Sequence, residues 1–540
     1  MSFFKIVVNT LEAVGLNDDV NRTIIDRLVS RCRNRPHPWS TKNSYISWSG
    51  LTDRNFNARL LRAKPYPAEE AMGTRRPPIA EVAKLFQVPD GRMQRRCPKS
   101  TGLFPAFAQY LTDGFIRTQL SNDPALTDRR RTTSNHDIDL SPLYGRTPAQ
   151  TRVLRVMSEE PGKRGQLKTQ MINGEAFPLF LYGADGQIAP EFCDASGLPA
   201  LDMPLGLSHV TPENKAVLFA IGGDRGNAVP QVAMLNTLFL REHNRLAAML
   251  ESSHPDWDNE RVFETARNIV IIMFIKIVVE EYINHINSTA FPLKADPSGA
   301  WAANWNRTNW MTIEFSLLYR WHALVTEHVR WGGRLMSARE ALLNNTFLIE
   351  RGLANSFADV SSNGAAELTL ENSATFLWNA EVNAVEQSRI NDVATYNDYR
   401  EAMGEARATS FAEIVGVADG ELEQKRRDRL AARLEELYGE PDNVEFYVGL
   451  FAEPREKNGP LPDLAMGMVA MDAFSQALTN PLLSEHVWGN DENRTLAFTE
   501  AGLAEIVATT RLRDILLRNS DGLADQFVGM TRQEWTRDSE

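Results

Sequence analysis

From about residue 101 onward, apolar residues recur mostly at helical spacing, and this periodicity predicts a mainly α protein. The stripe is continuous over 104–120, 229–252, 258–287, 312–323 and 421–438. Strand-like runs are few and short, as around 177–182. Near the N-terminus, Phe3, Phe4, Ile6, Val7, Leu11 and Val14 recur at helical spacing. A second stripe, Ile24, Ile25, Leu28 and Val29, follows Asp18-Asp19. Short amphipathic helices of this kind either pack on a larger body or lie in a membrane interface, and packing is the simpler outcome. Residues 34–100, rich in Pro, Arg and Gly, read as ordered loops on that body. There is no internal repeat and no low-complexity tract. The pattern therefore predicts a 1–35 appendage, one large helical body over 36–530, and a solvated 531–540 tail carrying Arg532, Glu534, Arg537 and Asp538.

The 540 residues exceed a typical single domain of roughly 100–200 residues, so a single body must be large enough to enclose something bulky. Apolar and charged fractions of 43% and 24% are those of a soluble globular chain, and a core of this size needs no disulfide or metal staples. A net charge of −12 argues against nucleic acid, whose phosphates call for a basic surface. The longest apolar run, Ile269-Val270-Ile271-Ile272-Met273-Phe274-Ile275, is stopped by Lys276, far short of the ~18–20 residues of a spanning helix. The three cysteines, Cys32, Cys97 and Cys193, lack metal-site spacing and read as incidental thiols. With no secretory signal visible, a reducing cytoplasmic setting is expected, with peripheral membrane contact through the N-terminal helices as an option.

Histidine is scarce, with nine in the chain. A haem requires one neutral imidazole on its iron, delivered from a rigid element inside an apolar pocket. His322 lies in Leu317-Leu318-Tyr319-Arg320-Trp321-His322-Ala323, an apolar and aromatic-rich stretch with helical spacing. The i, i+3 spacing of Tyr319 and His322 predicts phenol and imidazole on one helical face. An oxidisable phenol would then sit beside the ligand. A lone Tyr-x-x-His is most often a packing pair, so the surrounding motifs decide.

Those motifs are numerous and ordered. Met72-Gly73-Thr74, Phe107-Ala108-Gln109 and Asp139-Leu140-x-x-Leu143-Tyr144-Gly145 come first. Leu240-Arg241-Glu242-His243-Asn244-Arg245, His254-Pro255-x-Trp257 and Lys276-Ile277-Val278-Val279-Glu280-Glu281-Tyr282 follow. Beyond Glu314-Phe315-x-x-Leu318-Tyr319-x-Trp321-His322 come Gln387-Ser388-Arg389, Tyr396-Asn397-Asp398-Tyr399-Arg400, Leu437-Tyr438-Gly439 and Val444-Glu445-Phe446-Tyr447. Over roughly residues 35–490 the chain resembles the cyclooxygenase and fatty-acid dioxygenase branch of the animal-type haem peroxidases. Its Tyr-Arg-Trp-His is similar to the fungal and bacterial linoleate dioxygenases.

The resemblance implies a haem-dependent fatty-acid dioxygenase holding non-covalent haem b, with fatty acid and O2 as substrates and a hydroperoxide as product. His322 would ligate the iron, with Trp321 and the distal Gln109 around the cofactor. Tyr319 would abstract a hydrogen from a bis-allylic or α-carbon, and Tyr282 would hydrogen-bond it. Ser475 and Phe315 would line the fatty-acid channel, and Arg31 or Arg33 would pair with the carboxylate through bidentate geometry. Relatives are often dimers, which leaves a homodimer open. No calcium is expected, because neither a calcium loop nor the ester-linking carboxylates of the secreted peroxidases are recognisable.

Two departures qualify this. Asp113 stands where the family carries its distal histidine, the general acid and base on peroxide. Asp113 could still move protons if its pKa were raised, giving a peroxygenase or hydroperoxide isomerase. Otherwise peroxidase turnover is weak and Tyr319 is oxidised slowly or by external peroxide, or the chain is a non-catalytic haem- or lipid-binding protein. Thr289 replaces the tyrosine that gates the carboxylate end.

Overall fold

The protein is described from a computed structural model covering residues 17–30, 37–64, 76–119, 127–520 and 525–538. Helix accounts for 49% of it and strand for only 10%, in agreement with the mainly α reading. Among the described residues the strands form four separate two-stranded antiparallel pairs, and none of these small sheets organises the core. That task falls to the helices Pro230–Ser253 and Asn259–Ile277, which pack on each other. Their Met234, Leu235, Leu238, Phe239, Ile269, Val270 and Met273 are wholly buried. Asp258 caps the second helix by accepting from Arg261 N at 2.8 Å.

The element predicted over 258–287 is continuous but not uniform. After Ile277 it widens into a π turn, Val278–Ile283, before a last α turn at Asn284–Ile286. Such turns concentrate at functional sites, because the extra residue re-aims side chains. The helix predicted over 312–323 does not run through. It spans Ile313–Leu318, with the Thr312 side chain accepting from Phe315 N at 3.0 Å, and the chain re-coils into a 3₁₀ turn at His322–Leu324. Tyr319 and His322 therefore do not share one helical face. Glu314 anchors this short helix, its buried Oε1 accepting from Leu60 N at 3.1 Å and Tyr399 OH at 2.6 Å.

The helix Asn17–Val29 packs on Asp463–Leu478 and buries Ile25 and Val29, each worth roughly 1.5–3 kcal/mol. Residues 1–16 and 31–36 lie outside the described residues, and with them Arg31, Arg33 and the first amphipathic stripe. No described helix is long and apolar enough to cross a membrane. The tail expected to be solvated is tethered instead. Thr531 Oγ1 meets His285 Nδ1 at 2.7 Å, the Lys99 ammonium lies 4.8 Å from the Trp535 ring, and Arg537 donates to the Ser288 and Thr289 carbonyls.

Candidate haem and radical site

The helix Leu103–Asp113 presents two faces. One is aromatic: Phe104 lies 5.5 Å from both Tyr282 and Trp321, and Phe107 5.3 Å from Tyr282. The other carries Gln109, partly exposed, and Asp113, fully buried one turn later. Asp113 has no hydrogen-bond partner at either oxygen, although Arg117 and Arg225 approach to 3.8 Å. Burial pushes its pKa up to about 7; Asp224 adds to the rise, and the two arginines oppose it. The backbone leaves room for this carboxylate only because residue 223 is glycine: a Cβ there would lie 1.9 Å from Asp113 Oδ2. His136 and His243 do not substitute as acid–base groups. His243 bonds Tyr144 OH and the Gly165 carbonyl, and His136 bonds the Arg54 carbonyl and Met311 N.

Facing this helix is the segment around Tyr319. Its phenol is packed between Phe315, 4.5 Å away, and Trp321, stacked at 4.8 Å. Burial pushes its pKa up, Asp472 adds to the rise, and Tyr282 opposes it. The Tyr282 hydroxyl is thus near enough to act on Tyr319, yet it has no partner in standard hydrogen-bond geometry. Ser475 is buried on the Asp463–Leu478 helix and donates to the Asp472 carbonyl at 3.0 Å. The N-terminal half of that helix lines a cavity of about 850 Å³ with Ile24, Leu28, Ile283 and Phe291. Thr289 is on the cavity wall, as is Arg537, but Ser475 lies beyond its lining.

His322 is 20% exposed in an otherwise buried neighbourhood, and its Nδ1 sits 3.2 Å from Glu381 Oε1. Arg320, next to Trp321, is half-buried with its Nε unpartnered. Burial lowers its pKa to about 10, and the charges of Arg225 and Arg129 lower it further, against Tyr447 and Glu381. Arginines that disfavour one another's charge, one with an orphaned donor, fit the carboxylates of an anionic ligand such as haem propionates. A partly exposed imidazole suits an iron ligand. The residues present therefore fit a haem that His322 would hold, with Arg320 and Arg225 toward its carboxylates.

The motif reading missed Arg225, Arg320, Asp472 and Glu381. Arg320 sits inside the quoted Tyr-Arg-Trp-His, where a charge between two aromatics was the available signal. Arg225 and Glu381 carried none, being distant in sequence from the residues they meet.

The model of the animal haem peroxidase family matches residues 108–528. Prostaglandin G/H synthase 1 of Mus musculus is 30% identical over 478 residues, covering 86% of this chain and 73% of its own length. Prostaglandin G/H synthase 2 of Bos taurus is 30% identical over 90% of this chain and 75% of its own. The fatty acid alpha-dioxygenase of Arabidopsis thaliana superposes with a TM-score of 0.67 at 15% identity, over 90% of this chain and 81% of its own. That of Oryza sativa gives 0.65 at 15% identity, over 96% and 94%. The chain belongs to the animal haem peroxidase family and is an oxidoreductase related to the prostaglandin G/H synthases.

Proposed function

We propose that this protein oxygenates a fatty acid to a hydroperoxide by way of a radical on Tyr319. The observation that carries the reading is the buried Tyr319 phenol, clasped between Phe315 and Trp321 and separated from the partly accessible His322 by only Arg320 and Trp321. His322 would hold a non-covalent haem b, with Arg320 and Arg225 toward its carboxylates, and no calcium takes part. When bound, the haem supplies the one-electron oxidising power drawn from a peroxide.

Tyr319 gives up an electron and its phenolic proton. The resulting phenoxyl takes a hydrogen atom from a bis-allylic or α-carbon of the fatty acid and is restored to the phenol. O2 adds to the carbon radical, and the peroxyl radical regains a hydrogen atom from Tyr319, giving the hydroperoxide and a new phenoxyl. Water is excluded by the aromatic packing of Phe104, Phe107, Phe315 and Trp321, which protects the radical from competing reduction. The hydrocarbon chain is accommodated along the Asp463–Leu478 helix, and the cavity beside Ile24 and Leu28 serves as its entrance.

Tyr319→Phe should abolish O2 uptake with linoleate, in the presence of trace hydroperoxide, while leaving the haem absorption spectrum intact. Unchanged uptake would end the radical reading. A second reading, peroxygenase or hydroperoxide isomerase, is favoured by one observation: Asp113 is buried, without a hydrogen-bond partner and poised near neutrality. It requires conversion of an added fatty-acid hydroperoxide without O2 consumption. It fails if Asp113→Ala turns hydroperoxide over as fast as the parent.

A further inference from the structure

Behind His322 lies a carboxylate that the oxygenation chemistry above does not use. Glu381 lies in the first turn of the helix Trp378–Ile390, and its side chain is 2% exposed. Isolated in a protein interior, a carboxylate costs several kcal/mol, so its partners reveal what it is there to meet. Ser373 Oγ donates to its Oε1 at 2.5 Å and Tyr447 OH to its Oε2 at 2.7 Å. His322 Nδ1 lies 3.2 Å from the same Oε1. Nδ1 is off the straight hydrogen-bond line and has no other partner. Two hydroxyls thus fix the carboxylate and aim one oxygen at the ring nitrogen that an iron-ligating imidazole would leave free.

We propose that Glu381 is a positioning residue for His322. Its carboxylate fixes the proton on Nδ1, turns Nε2 toward the ligand site, and lends the imidazole anionic character. This rests on the reading of His322 as haem ligand. A ligand imidazole must keep one nitrogen unprotonated for the metal, and the group beyond the other nitrogen decides which one and how strongly it donates. A neutral acceptor would orient the ring equally well; the carboxylate adds charge. More donation to the iron stabilises its oxidised form and lowers its reduction potential. Such a proximal charge would also assist peroxide cleavage where the distal acid–base group is a carboxylate, Asp113, in place of an imidazole.

The test uses the full chain reconstituted with haem, comparing the parent with Glu381→Gln, which keeps shape and an acceptor but removes the charge, and Glu381→Asp. Measured quantities are the midpoint potential of the iron, the iron–histidine stretching band of the reduced protein, and haem retention against an apoglobin acceptor. Glu381→Gln should raise the potential, lower the stretching frequency and release haem about 10–100-fold faster, the usual cost of losing an outer partner of a metal ligand. Glu381→Asp should recover part of each change. Should Glu381→Gln not fold, Tyr447→Phe, which removes a donor and leaves the carboxylate a stronger acceptor toward Nδ1, should move the stretch in the opposite direction by less. A histidine-ligated parent whose potential and stretch are unmoved by Glu381→Gln overturns the role of Glu381 alone. A parent without histidine ligation overturns both this and the reading of His322.

Discussion

Asp113 faces Arg117 and Arg225 at 3.8 Å, with Asp224 and the Tyr110 phenol also in its field. Its pKa rises from 3.8 in the unfolded chain to about 7, so the folded protein holds this proton the more tightly. The resulting contribution to stability is complete below about pH 4 and is lost as pH climbs through 7. Asp113→Asn, which cannot ionise, should therefore lose less Tm between pH 5 and pH 8 than the parent; equal losses in thermal melts would contradict the assignment. If Asp113 also takes the proton of a hydroperoxide, conversion rises through pH 7 in the parent. It should fall by about 10²-fold or more in the Asn variant, as general-base losses do. The identity of this residue was legible in the sequence. Its unusual proton affinity was not, because burial and the approach of Asp224 are set by the fold.

Between residue and molecule, the proximal segment shows what periodicity can and cannot say. The apolar stripe over 312–323 predicts a helix, yet the helix ends at Leu318. Trp321, at φ −87° and ψ 49°, leaves the helical region to stack its ring on Tyr319, a packing choice no spacing rule contains. The downstream motifs prove to be the scaffold behind this segment. Tyr399 holds Glu314, while Glu445 accepts from Arg389 at 2.6 Å and from Tyr438 at 2.9 Å. On the opposite side, the Gly223 loop and the Leu103–Asp113 helix approach so closely that only hydrogen fits. Gly223→Ala should cost about 1–3 kcal/mol in denaturant melts through overpacking. The same change made in an Asp113→Ala background should cost clearly less, because the obstructing carboxylate is gone. Equal costs in both backgrounds would mean that the loop, and not Asp113, sets the constraint.

Across the whole molecule, the first and last described segments meet at the 850 Å³ cavity: Ile24 and Leu28 line it from the helix Asn17–Val29, and Arg537 from the tail. Removing residues 531–540 would deprive His285 Nδ1 of Thr531 and Lys99 of its Trp535 ring. Because His285 is buried, the loss should amount to about 1–3 kcal/mol, read as a lower midpoint in urea. An unchanged midpoint would return the tail to the solvated role its composition suggested. If residues 1–33 also give peripheral membrane contact, flotation with liposomes should depend on them, and equal flotation without them would remove that role.

The helical class, the central pair of helices and the identities of Tyr319, His322, Gln109 and Asp113 as the residues to examine were legible in the residues alone. These follow from local spacing and ordered motifs, which a chain carries without folding. Folding then brings Glu381 behind His322, sets Arg225 with Arg117 beside Asp113, makes room for that carboxylate at Gly223 and docks the tail. Each of these is a meeting of residues far apart in the chain, and its energy comes from desolvation and charge, which depend on what surrounds a group and not on what precedes it.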